Sequence, residues 1–213
     1  MLNGAVLDHE RHVYAIDGVR VPSVTDVLRV AGYADSTYYL GDEARWRGRA
    51  VHAALQYLEK GTLDWSSVDD QVAGRLRAYL KFKSDMKYVP MQTECVVSDP
   101  VRRYAGCLDT YGHMDGKPAI IDFKTGAVPS WAGLQLSGYR KCVVDPDHCA
   151  DRYWPRYGLE LRPDETYRLI PFRDVSEDAL FLAAVSAFWW KLNRGYKVWK
   201  QVDAIQDQKI SLT

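Results

Sequence analysis

The sequence has no apolar run long enough to cross a membrane, no internal repeat, no low-complexity linker and no excess of either charge. Across 213 residues, 28 Lys and Arg balance 28 Asp and Glu. A neutral chain has no general attraction for a polyanion, so any such binding must come from local patches. Without 18 consecutive apolar residues, a membrane-spanning helix is not expected. The opening Met1-Leu2-Asn3-Gly4-Ala5-Val6-Leu7-Asp8-His9 lacks the pattern of a signal peptide, which predicts an intracellular protein in a reducing compartment. Cysteine is scarce. The four, Cys95, Cys107, Cys142 and Cys149, form no CxxC pair, and their spacing does not support an iron–sulfur cluster. Cys95 and Cys107 fall in apparent strands and read as small core residues. Cys142 and Cys149 could approach each other, but nothing demands it.

What is present argues for a packed core: 47% of residues are hydrophobic and 26% charged, with seven Trp and fourteen Tyr. Residues 4–21 read as a short hairpin turning at Asp17-Gly18. Ser23 caps a helix whose stripe is Val24, Val27, Leu28 and Ala31, with Asp26 completing part of a capping box and Gly32 ending it. A longer helix is predicted from about Ser36 to Lys60. It would bury Val51, Ala54, Leu55 and Leu58 and turn Arg45, Gly48, Arg49, His52, Gln56 and Glu59 the other way. A third helix is predicted over Ser67–Lys87, burying Val72, Leu76, Tyr79, Leu80 and Met86. The period then changes. Met91–Ser98, Arg103–Met114 and Pro118–Lys124 read as strands, Pro129–Val143 as helix, Tyr167–Phe172 as strand and Val175–Lys191 as helix. This order predicts one α/β domain over 1–213, with a central mixed β-sheet flanked by helices. Within it, 1–88 would be an N-terminal hairpin and helical region, 89–195 the core and 196–213 a tail.

The chemistry gathers in the middle. Asp115-Gly116 is a dipeptide favoured in two-residue hairpin turns. If it turns the chain, Met114 faces Lys117 and Asp109 lands opposite Asp122, with Cβ atoms about 4.5–5.5 Å apart. Two carboxylates that close repel, and one is pushed toward neutrality unless a cation lies between them. A hard divalent ion bound by oxygen answers that problem. Alternation puts Lys124 on the face of Asp122 and turns Phe123 to the other with Ile121. The bland alternative, a strand end carrying a surface ion pair, leaves two opposed like charges unexplained.

The remaining candidates are each weak alone. Glu94 is either an exposed strand carboxylate or a group that binds metal through water or positions Lys124. His52 is either an exposed helix histidine or a metal ligand presented over the sheet, with Gly48 allowing close approach. Gln135 and Tyr139 share a helix face. That face is either solvated, or it carries Gln135 to a water or phosphate and Tyr139 to a sugar or base. Arg45, Trp46, Arg47 and Arg49, then Arg102, Arg103 and Tyr104, interleave basic and aromatic residues. Arg45 and Arg49 flank His52, which favours contact with a phosphate backbone.

In order, Gly48-x-x-x-His52, Glu94, Gly106-x-x-Asp109, Asp122-x-Lys124 and Gln135-x-x-x-Tyr139 resemble the P-D-(D/E)-X-K nuclease superfamily, and within it the RecB-like exonuclease branch. The match covers roughly residues 44–140, and Val21-Pro22-Ser23-Val24-Thr25 is similar to the opening of phage-encoded members. The resemblance implies a restriction-endonuclease-like core and hydrolysis of DNA by an exonuclease using Mg²⁺ or Mn²⁺. It implies that His52, Asp109, Asp122 and the Phe123 carbonyl bind metal and that Lys124 is the catalytic lysine. Glu94 and Gln135 join the catalytic set, and Arg45, Arg49, Gln135 and Tyr139 the DNA-binding set. It implies a role in recombination, repair or processing of phage or bacterial DNA, in the bacterial cytoplasm or an infected host cell. A structure-selective endonuclease and a non-catalytic nucleic-acid-binding module on the same fold are the alternatives. Two departures stand out: Asp122 occupies a position where many members have Glu, and the four cysteines do not match the cluster some members hold.

Overall fold

The computed structural model describes residues 4–8, 11–34, 41–143 and 154–199. Cys149, the expected start of the second helix at Ser36 and most of the expected tail lie outside them. The chain opens with β1 (Ala5–Asp8), β2 (Val13–Ile16) and β3 (Val19–Val21), which pair antiparallel as a three-stranded sheet. A two-stranded hairpin was expected here. Its turn stands, with Asp17 and Gly18 both at positive φ, but β1 adds a strand that four residues were too short to announce.

The helices follow. Ser23 caps α1 (Val24–Val30) through a complete capping box with Asp26. Next come α2 (Asp42–Glu59) and α3 (Asp70–Asp85). The second sheet comprises β4 (Tyr88–Asp99), β5 (Tyr104–Met114), β6 (Lys117–Lys124), β7 (Arg156–Leu161) and β8 (Tyr167–Phe172), side by side in that order. All neighbours are antiparallel except β6 and β7. The crossover between those two carries α4 (Ala132–Val143), and α5 (Ser176–Asn193) closes the described fold.

The sheet is mixed and flanked by helices on both faces, as the element order predicted. Ile121, Phe123, Leu159 and Leu161 pack with α2 and α3 on one side. Ile120, Leu108 and Tyr111 pack with α1, α4 and α5 on the other. The N-terminal sheet forms a third cluster against Ala105 and Val96 of the large sheet. It is stitched there by the Ala105 N–H donated to the Pro22 carbonyl at 3.0 Å.

β7 was not expected from the sequence. Its first residue, Arg156, is 1% exposed and opens a strand that otherwise alternates little. The guanidinium reaches Glu177 at 2.9 Å, the Gly133 carbonyl at 2.7 Å and Ser137 Oγ, which ties β7 to α4 and α5. Leu80, expected in the core, is 40% exposed, because α3 turns Leu76 and Tyr79 inward and Leu80 falls about 100° away from Tyr79. Tyr104, grouped by sequence with two surface arginines, is fully buried and donates its hydroxyl to the Gly138 carbonyl at 3.0 Å. Neighbouring Arg102 pairs with Asp99 at 2.8 Å.

Candidate active site

The Asp115-Gly116 turn forms with both residues at positive φ. The register it predicts is the one observed, from Met114–Lys117 to Thr110–Ile121. Asp109 and Asp122 come next in line, where the ladder stops. There Asp109 Oδ2 accepts the Phe123 N–H at 2.5 Å. On the other side of β5, Glu94 falls between the pairs Thr93–Thr110 and Cys95–Leu108, level with Asp109. Glu94, Asp109 and Asp122 thus occupy one row across three strands.

Glu94 holds φ at +47°, in the left-handed region. A non-glycine residue there in mid-strand costs on the order of 1 kcal/mol or more and persists only where its surroundings enforce it. Its carboxylate goes to the α2 helix and not to Lys124. Glu94 Oε1 lies 2.9 Å from His52 Nδ1, and Asp109 Oδ1 lies 3.4 Å from the same nitrogen. Lys124 Nζ instead pairs with Asp122 Oδ2 at 2.5 Å.

These groups line one cleft of about 580 Å³. Asp122 is 2% exposed and Asp109 7%, so little water screens them. Burial raises the Asp122 carboxyl to about 6, with the Asp109 charge adding to the rise and Lys124 opposing it. Burial would also raise Asp109, but His52, Lys124 and the Phe123 N–H hold it below the ordinary carboxylate value. Burial would lower His52, yet Asp109 and Glu94 lift it well above the ordinary imidazole value. Lys124 follows the same logic, raised by Asp122 and Asp109 against its burial.

The donor set suits a hard or borderline divalent cation. One atom each from His52, Glu94 and Asp109 falls within a 4.8 Å span. The set is carboxylate oxygen, which suits Mg²⁺ and Mn²⁺, together with one imidazole nitrogen. Three carboxylates in a row exceed what one ammonium and one imidazolium offset, and the Asp109 charge adds to the rise that burial gives Asp122.

Other expected residues divide. Gln135 and Tyr139 are on one helix face, joined by Gln135 Nε2 donating to the Tyr139 hydroxyl at 3.2 Å. That face is not solvated: they are 7% and 5% exposed and border the cleft. Gln135 Oε1 is buried with no hydrogen-bond partner among the described residues, which leaves an acceptor open. Arg49 is exposed and borders the cleft. Arg45 does not border it and pairs with Asp42 one turn back on α2. The Phe123 side chain sits in the core beneath α2 and α3.

The close approach expected of Gly48 is not sterically required, since a Cβ there would lie 3.9 Å from Thr125 Oγ1. Gly106 is the position that needs its missing side chain. A Cβ there would fall 2.6 Å from the Tyr139 ring. Cys107, read as a core residue, is half-buried on the cleft wall, with its thiol 3.5 Å from Glu94 Oε2.

No family model and no curated protein matches the sequence. Solved structures do. A proposed exonuclease from Eubacterium rectale is 14% identical over 82% of this chain and 80% of its own, with a TM-score of 0.53. The chain shares that protein's fold. An alkaline exonuclease from Laribacter hongkongensis, 14% identical over 81% of this chain and 87% of its own, has a TM-score of 0.41. The central mixed sheet flanked by helices that the sequence predicts is thus a fold found in a known structure.

The cleft has a wall that the sequence did not announce. His12 and Tyr14 of the N-terminal sheet border it, as do Ser23 and Thr25 at the start of α1. The only sequence signal was Val21-Pro22-Ser23-Val24-Thr25. Nothing in the spacing of His12 or Tyr14 points to the residues of α2, β4 and β5 that they face across the cleft.

Proposed function

We propose that this chain is a divalent-metal-dependent nuclease that hydrolyses DNA phosphodiesters, working from strand ends. One observation carries the reading. Two sheet registers and one helix bring His52, Glu94 and Asp109 together as a ligand set, with Asp122 and Lys124 beside it on the floor of a single cleft. The shared fold with a proposed exonuclease favours attack at ends. Placement of the reaction in phage or bacterial DNA recombination, repair or processing rests on the sequence resemblance.

His52, Glu94 and Asp109 would hold the ion, with Asp122 and the Phe123 carbonyl as further donors. When bound, Mg²⁺ or Mn²⁺ supplies Lewis acidity, polarising a phosphoryl oxygen and easing deprotonation of the attacking water. His52 must shed its proton to serve as a ligand, because only neutral imidazole binds metal. Lys124 keeps its proton at Nζ, orients the attacking water and offsets charge growing on the phosphoryl oxygens. Gln135 offers its open Oε1 to that water or to a group on the strand. Tyr139 stays a neutral phenol, since burial and the nearby Asp122 and Asp109 charges raise it well above its ordinary value. Arg49, at the rim, contacts a backbone phosphate. Most of the rate gain then comes from positioning and fixed charge.

The test is release of nucleotides from end-labelled linear DNA, single- and double-stranded, with Mg²⁺ or Mn²⁺ and with EDTA. Asp109→Ala and Asp122→Ala should abolish cleavage while the proteins remain folded. A circular single strand should survive. Cutting of the circle would replace the exonuclease reading by an endonuclease one. Full metal-dependent activity in either variant would overturn the ligand assignment.

A further inference from the structure

Arg47 and Arg75 are not among the residues that line the cleft. Arg47 is one turn before Val51 on α2, so it continues the buried Val51–Leu55 stripe toward α3. Arg75 is on the inner side of α3 and only 6% exposed. The two helices run in the same direction, since Glu59 and Lys83 near their C-terminal ends pair at 2.7 Å. Each arginine is therefore in the first two turns of its helix.

Their neighbouring glycines locate them on the sheet. Gly48 faces Thr125, the residue after β6, with an added Cβ 3.9 Å from Thr125 Oγ1. Gly74 is pressed against Pro163 just past β7, where a Cβ would fall 2.0 Å from the carbonyl oxygen. β6 and β7 are the parallel pair. Both arginines thus stand at the carboxyl ends of parallel strands, the edge at which α/β sheets bind ligands.

Neither guanidinium is fully satisfied. Nε of each is buried without a hydrogen-bond partner among the described residues. Arg75 donates to the Gln71 carbonyl, which carries no charge. Arg47 reaches Glu43 only at 3.9 Å, and Glu43 is largely exposed. Glu160, opposite Lys124 in the parallel ladder, is held by Arg162 at 3.0 Å and Arg168 at 3.2 Å. Burial lowers Arg75 below the ordinary guanidinium value, and the charge of Arg47 lowers it further. Like charges brought together in a shielded place ask for a counter-ion.

We propose that Arg47 and Arg75 form a phosphate site that grips a backbone phosphodiester of the bound DNA strand, beyond the phosphate held at Lys124. This rests on the nuclease reading for the identity of the strand. A planar guanidinium with free N–H groups matches phosphate oxygens in a fork geometry, and Thr125 connects this edge directly to Lys124. A strand crossing the metal site would leave over that edge with its next phosphates facing the two arginines.

The test uses the full chain in EDTA, so that binding is read without cleavage. Binding of a single-stranded oligonucleotide is measured against salt for wild type, Arg47→Gln and Arg75→Gln. Each substitution should lower the slope of log Kd against log salt by about 0.7, the share of one single-strand phosphate contact. Inorganic phosphate should raise the wild-type Tm, and either substitution should remove that shift. Arg47→Gln keeps the test open if the more buried Arg75→Gln does not fold. A fallen slope supports the site even where free phosphate binds too weakly to register. An unchanged slope with the phosphate shift retained overturns it. Loss of the phosphate shift with an unchanged slope overturns the strand assignment. If wild type binds no DNA, the nuclease reading fails instead, and the phosphate arm alone decides whether the anion site exists.

Discussion

The Asp109 carboxylate accepts the Phe123 backbone N–H at 2.5 Å, at the point where the β5–β6 ladder ends. One side chain therefore finishes a sheet and begins the candidate ligand set. Its Oδ2 replaces a ladder carbonyl, while its Oδ1 faces His52 at 3.4 Å.

That double duty separates stability from activity. Asp109→Asn keeps a carbonyl oxygen for the Phe123 N–H and removes the charge. Its Tm without metal should fall less than that of Asp109→Ala, and cleavage should fall by roughly 100-fold or more. The Mn²⁺-induced rise in Tm should shrink with it. Asp109→Ala leaves the N–H unpaired and should cost about 1–3 kcal/mol besides. Paired thermal melts and nuclease assays check both statements. Equal stability loss in the two variants would show that the hydrogen bond is not what Asp109 contributes to the fold.

Protons would compete with the proposed metal ion for this cleft. Asp122 is raised to about 6 in the folded protein, so the fold binds its proton more tightly than the unfolded chain does. Its contribution to stability therefore declines as pH rises from about 4 to about 6. His52, raised above its ordinary value, has the same sign later: its contribution is complete below about 6.5 and is lost as pH passes its folded value. Asp109, lowered, contributes above about 3.8 and loses that only in stronger acid. Melts in EDTA across pH 4–6 should fall more steeply for wild type than for Asp122→Asn. The Mn²⁺-induced shift should grow with pH, because ligation releases protons.

Lys124 offers a cleaner dissection of chemistry from metal binding. Its ammonium pairs with Asp122 and belongs to no ligand set. Lys124→Met should reduce cleavage by roughly 100-fold to 1,000-fold yet leave a Mn²⁺-dependent rise in Tm. Asp122, without its partner, should titrate higher still, moving the EDTA melt profile toward neutral pH. Loss of the Mn²⁺ response in Lys124→Met would mean that the lysine organises the metal site.

Gly106 tests the packing behind the cleft. An Ala there puts its Cβ 2.6 Å from Tyr139 Cε1 and 3.3 Å from a Val24 methyl. Gly106→Ala should destabilise the fold by about 1–3 kcal/mol through overpacking. It should also disturb the Tyr139–Gln135 hydrogen bond. An additional Tyr139→Ala should recover part of the lost Tm by making room, and a double-mutant cycle on Tm measures that coupling.

Much of this site was legible because its information is local. The Asp115-Gly116 turn sets the β5–β6 register by itself, and alternation then decides that Asp122 and Lys124 share a face while Phe123 enters the core. Helical spacing likewise placed His52 with Gly48 and Gln56, and Gln135 with Tyr139. Longer-range facts were not legible. β7 opens on a buried arginine that makes sense only once Glu177 and Ser137 are beside it. Glu94 obeys no alternation rule, because its left-handed backbone turns the carboxylate toward a helix forty residues earlier.

Turn chemistry and periodicity in the sequence alone therefore determined the neighbours along each ribbon of chain: the hairpin register, the capped helix and the acid–lysine strand. Only tertiary packing decided which helix met the acid row, that the N-terminal sheet walled the cleft, and that Glu59 and Lys83 paired across α2 and α3. The reason is physical. Backbone preferences act over a few residues, whereas burial and charge act between whatever surfaces the packed core brings together.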